Sequence, residues 1–124
     1  MICRHSYPLH MTDGKFIAAM VAMTPDADPA RHRSVIDTSL YRLISILVRD
    51  EKQAAEVCTE LVRGEGVQSF LLCPGFTNKG VGRIAEAVGD GVSVNVARGD
   101  GPSNVMARQA MEGAGFFKPR RTGK

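Results

Sequence analysis

Phe16 to Met23 is an unbroken run of eight apolar residues. It falls well short of the ~18 residues that cross a bilayer, and it has the length of one β-strand. Unbroken apolarity, rather than alternation, predicts a strand covered on both faces, as in a parallel sheet between helices. Pro25 and Pro29 end the run. Asp28 followed by Pro29 is a helix-start signal, a capping side chain and then a ring that fits the first turn. It predicts a short helix over Pro29 to Ile36.

The same alternation recurs down the chain. Tyr41 to Val48 predicts a second strand. Asp50 then caps a helix, with Gln53 placed to return a hydrogen bond. Ala54, Val57, Cys58, Leu61 and Val62 share one face of that helix, which Gly64 and Gly66 end. Val67 to Leu72 predicts a third strand, followed by the turn Cys73 to Phe76 and a helix that buries Val81, Ile84, Ala85 and Val88. Val92 to Val96 predicts a fourth strand. It alternates strictly, with Ser93 and Asn95 opposite the valines, as an edge or a strand facing a site or a subunit does. After the loop Arg98 to Pro102, Ser103 caps a last helix with Ala107, Ala110, Met111 and Ala114 on one face and Gly115 at its end. Strand and helix alternating four times predict a single α/β domain with a mainly parallel four-stranded sheet and helical crossovers. A two-layer ferredoxin-like α+β sandwich is the alternative. Residues 15 to 117 form the domain, with a flexible extension before it (1 to 14) and a basic disordered tail after it (118 to 124).

The net charge of +3 belongs to that tail. Lys118, Arg120, Arg121 and Lys124 supply four of the 16 basic residues, and the 12 that remain are matched by 13 acidic ones. A near-neutral body makes nucleic acid an unfavoured partner. No apolar h-region marks a secretory signal, and membrane association is not expected. The three cysteines, Cys3, Cys58 and Cys73, form no paired metal motif, so no metal site is expected, and an odd number of thiols suits a reducing cytoplasm.

Ligands of parallel α/β sheets bind beyond the carboxyl ends of the strands, where helix N-termini present free N–H groups. The residues predicted at that border include Thr24, Asp26, Asp28, His32, Arg33, Arg49, Cys73, Arg98, Asp100 and Asn104. Cys73, between a strand and a helix start, is the candidate nucleophile or acid–base thiol, with His32 as its base. Asp100 beside Arg98 gives a further acid–base and carboxylate-binding pair. Gly75, Phe76, Thr77, Asn78 and Lys79 form a glycine-bearing strand-to-helix turn that suits an anion, although it lacks both the Walker and the dinucleotide spacings. Asp26 completes the candidate binding set.

The residues Asp28-Pro29, His32-Arg33, Val35-Ile36, the Asp50 helix start, Cys73-x-Gly75-Phe76, Gly80-Val81 and Glu86-Ala87-Val88 carry a resemblance. Over Phe16 to about Asp100 the chain resembles a family of small microbial proteins known only as a domain of unknown function. The resemblance implies one compact domain and no particular activity. The family often has glycine where this chain has Pro74, which removes one N–H from the candidate anion turn.

Two functions are expected from this reading. The first is an enzyme without an organic cofactor that moves a proton on a small polar or anionic metabolite, as an isomerase, dehydratase or lyase does. The alternative is a non-catalytic homodimeric binding or accessory module, paired through the polar face of the fourth strand and the last helix.

Overall fold

The computed structural model describes residues 14–119. The expected terminal extension and tail lie almost wholly outside that range. The described chain is one α/β domain with eight elements: β1 (Phe16–Met23), β2 (Arg33–Asp37), β3 (Tyr41–Val48), α1 (Glu51–Glu65), β4 (Ser69–Leu72), α2 (Asn78–Val88), β5 (Ser93–Val96) and α3 (Gly101–Ala114). The sheet has five strands in the order β2-β3-β1-β4-β5. β1 is parallel to β3 and β4, and β4 to β5, while β2 is antiparallel to β3.

The added strand corrects the expected helix over Pro29 to Ile36. Asp28 does cap: its Oδ1 accepts from the Ala30 N–H at 3.1 Å, and its carbonyl accepts from Arg31 and His32. That arrangement lasts a single turn. Val35 and Ile36 are β-branched and resist helix while suiting a pleated strand. β2 pairs with β3 over five positions, from Arg33 opposite Ile46 to Asp37 opposite Arg42. Thr38 closes the hairpin, its N–H donating to the Tyr41 carbonyl at 2.8 Å. The first connection is therefore a detour through an edge strand rather than a helical crossover.

α1 and α2 lie together against one face of the sheet. Ala54, Val57, Cys58 and Leu61 of α1 and Ile84 of α2 join Ile17, Val21, Ile44, Ile46, Phe70 and Leu72 in one core. Asp50 caps α1 by accepting from the Gln53 N–H at 2.8 Å, and the Gln53 side chain returns a bond to the Arg49 N–H at 2.7 Å. Gly66, left-handed at φ 75°, ends the helix by donating to carbonyls of its last turn.

No described helix lies on the other face of the sheet, which corrects the expectation that the first two strands are covered on both sides. Phe16 and Met20 of β1 and Tyr41 and Leu47 of β3 are exposed there. The domain thus combines the parallel connectivity of a three-layer α/β fold with the two layers of a sandwich. α3 also departs from expectation. None of its residues is buried, and Asp100, not Ser103, holds its N-cap position.

Candidate functional site

Because β1, β3, β4 and β5 run the same way, their carboxyl ends share one border. Hydrogen bonds carry the ladder past the strand ends: Thr24 donates to the Val48 carbonyl, Cys73 to Val21 and Ala97 to Leu72. The turns after the strands therefore meet, and a cleft with two lobes opens among them. One lobe, of ≈ 620 Å³, lies at the end of the open sheet face, between Met20, Leu47 and Leu71 on its floor and Arg31, His32 and Arg33 at its side. The second, of ≈ 670 Å³, lies between the strand ends and α3. Both lobes are lined by Ala22, Cys73 and Pro74, so Cys73, half-buried and packed against the core, borders both. Each volume is in the range of small-ligand sites.

The second lobe is built by spacing on α3. Asn104, Ala107, Arg108 and Met111 recur at i, i+3, i+4 and i+7 and turn one stripe toward the strand ends. Phe116 and Phe117 complete the wall beyond Gly115, which is left-handed at φ 91° and turns the chain back. The Arg108 guanidinium lies 4.6 Å from the Phe117 ring centroid, a cation–π contact, and its Nε is 3.8 Å from Glu112 Oε2, one turn on; together they hold it beside the cleft. Arg49, which lines the same lobe, is fixed by a 3.0 Å hydrogen bond from its Nη1 to the Ala27 carbonyl. Every described residue lining the lobes that bears a permanent charge is an arginine, Arg31, Arg33, Arg49 or Arg108, although Arg33 stands opposite Ile46 on the helix-covered side of the register and donates through its Nε to the Pro29 carbonyl. No described carboxylate lines either lobe.

The residues singled out in the sequence divide here. Cys73 and His32 line the same lobe, and Gly75 lines the other. The His32 Nδ1 accepts from the Asp28 N–H at 2.8 Å, which leaves Nε2 to carry the ring proton of the neutral form. His32 thus presents a donor, and the nitrogen that a general base needs is already engaged. Arg98 and Asp100 line neither lobe. They pair with each other at 2.9 Å in solvent, with Arg98 86% exposed. Asp26 is exposed and accepts from the Thr24 hydroxyl at 2.7 Å. Phe76 is a core residue, only 7% exposed, rather than a wall of the cleft.

The turn from Gly75 to Lys79 does receive an anion, and the anion is the protein's own. The Thr77 N–H donates to Glu51 Oε2 at 2.6 Å, and the Thr77 hydroxyl donates to Oε1 at 3.1 Å. The Thr77 Oγ1 in turn accepts from the Gly80 N–H at 3.0 Å, capping α2. A Cβ on Gly80 would collide with the Glu51 carboxyl group. The glycine that suggests a phosphate loop in the sequence makes room for an internal carboxylate from α1. Asn78 and Lys79, in the first turn of α2, line neither lobe.

Sequence reasoning missed Arg108, Met111, Phe116 and Phe117. The signal was present: an arginine and a methionine three apart on the same stripe as Asn104, and an aromatic pair directly after a helix-ending glycine. Among the described residues no group of three or more His, Cys, Asp or Glu is placed to hold a metal ion. No described helix is long and apolar enough to cross a membrane.

A family model for proteins of unknown function matches residues 16–112. The chain belongs to the DUF6506 family. The DUF6506 match starts at the first residue of β1 and ends inside α3. The whole sheet, His32, Cys73 and the α3 stripe are inside it, while Phe116 and Phe117 are not. No curated protein and no solved structure matches the chain.

Proposed function

We propose that the chain binds a small anionic metabolite with an apolar body in the two-lobed cleft at the carboxyl border of the sheet. The observation that carries this is the charge of the lining: Arg31, Arg49 and Arg108 with no carboxylate among the described lining residues, Glu112 meeting Arg108 at 3.8 Å from outside the lobe, and otherwise mainly apolar walls. Guanidinium groups match carboxylate and phosphate oxygens in pairs of hydrogen bonds. Met23, Met111 and Phe116 supply the apolar contact. Arg49 and Arg108 hold the anion, and the His32 Nε2–H donates to it from the neighbouring lobe.

A second reading adds chemistry to the binding. Cys73 borders both lobes, with His32 in reach of the same bound molecule. This favours proton transfer by Cys73 on the ligand, an isomerase, dehydratase or lyase step that draws on no organic cofactor.

Calorimetric titration with small aromatic and aliphatic carboxylates and phosphates tests both. Binding is expected, and Arg49→Gln and Arg108→Gln each weaken it by roughly ten- to a hundredfold, the loss of one charge-assisted contact. Cys73→Ser leaves binding in place and abolishes turnover if the second reading holds. A full panel without binding, or binding indifferent to both arginine substitutions, removes the first.

A further inference from the structure

We infer that the open face of the sheet is the docking surface for a second copy of this chain. A sheet that buries one face under helices still needs cover for the other when that other is apolar. Phe16, Met20, Ile36, Tyr41, Leu47 and Leu71 are exposed on the open face, Met20 at 46% and Leu71 at 39%. The strand registers place no Asp, Glu, Lys or Arg on it; its polar side chains are Tyr41, serines and Asn95. Strands without charged side chains meet their own copy about a twofold axis with no like charges opposed across the middle of the face, Arg31 standing at its carboxyl edge.

Size points the same way. The strands present about 450 Å² in projection at the usual strand spacing and rise. Side chains stand off that plane, so the accessible area of the face exceeds its projection and is on the order of the ~800 Å² that each partner of a stable pair buries. The floor of the His32 lobe, made of Met20, Leu47 and Leu71, belongs to this face. A docked copy therefore roofs that lobe, and to this extent the inference bears on the ligand site.

Sedimentation velocity on the full chain, from about 1 to 100 µM, reads the association. A dimer is expected. Leu71→Lys, exposed in the single chain and so compatible with its fold, raises the dissociation constant at least roughly a hundredfold by placing an unpaired charge in the interface. Met20→Lys does the same and serves if Leu71→Lys fails to fold, with circular dichroism checking both. Lys52→Glu on exposed α1 leaves the dimer intact. A wild-type monomer throughout the range, or a dimer unaffected by the sheet substitutions, overturns the inference. A dimer that binds none of the anions defeats only the ligand reading, and a monomer that binds them defeats only the dimer.

Discussion

Along β4, Phe70 and Leu72 are sealed in the core, whereas Leu71 between them looks out from the open face. The same division runs along β1, where Ile17, Ala19 and Val21 are buried and Phe16 and Met20 are not. Both sets are apolar, so hydrophobicity alone does not separate them. What separates them is the destination of the helices. α1 and α2 fall on the same side of the sheet, and α3, which follows the edge strand β5, stays at the carboxyl border. One face is covered by helices, and no described helix covers the other.

The largest test of this contrast compares neighbours. Phe70→Ala removes a fully buried ring and lowers the unfolding free energy by about 3–5 kcal/mol. Leu71→Ala, measured by urea unfolding at dilution where the chain is monomeric, costs less than about 1 kcal/mol. Equal costs would erase the distinction between the faces.

Cys58 reports on the covered side by titration. Burial pushes its thiol up from 9.0 to about 12. The folded-state value is raised, so the contribution is complete below the unfolded value. It is lost as pH rises from about 9 toward 12, because the unfolded thiol ionises first. The slope is at most about 1.4 kcal/mol per pH unit. Denaturation of wild type and Cys58→Ala between these pH values is expected to show a flatter alkaline limb for the variant.

Gly80→Ala sharpens the contrast between an internal and an external anion site. The new methyl group displaces the Glu51 carboxylate from Thr77 and costs about 1–3 kcal/mol in lost hydrogen bonds. In a Glu51→Ala background the same change becomes neutral or stabilising by up to about 1 kcal/mol, because alanine suits a helix better than glycine. A double-mutant cycle by thermal unfolding measures the difference.

The smallest effect lies at the sheet's edge. Arg42 first, and Lys15 second, hold the Asp37 carboxyl below its ordinary 3.8. With a lowered folded value, its contribution is present above the ordinary carboxylate range and is lost as pH falls through that lower value. Asp37→Asn is expected to be slightly less stable than wild type at neutral pH and to converge with it in strong acid. The group is exposed, so solvent screening keeps the effect small.

Much of the fold was legible because its signals are local. The Tyr41 to Val48 strand appears with the bounds read from the residues, and Asp50 and Gln53 cap α1 as their spacing requires. The common border of the parallel strands and the place of Cys73 on it followed from the alternation of elements. Arg98 and Asp100 were placed at the border correctly but turned toward each other in solvent, since sequence gives the position of a loop and not the direction of its side chains. The helix expected over Pro29 to Ile36 was lost to pairing with a strand that begins later in the chain.

By itself the sequence determined the four parallel strands and the three helices, because period and capping act within a few residues. Only the tertiary structure decided that β2 joins as an edge, that Glu51 fills the N-terminus of α2, and that no described helix covers one apolar face. Each of these depends on groups far apart in the chain, such as Glu51 and Thr77 at a separation of 26 residues. No local pattern encodes which of them will meet.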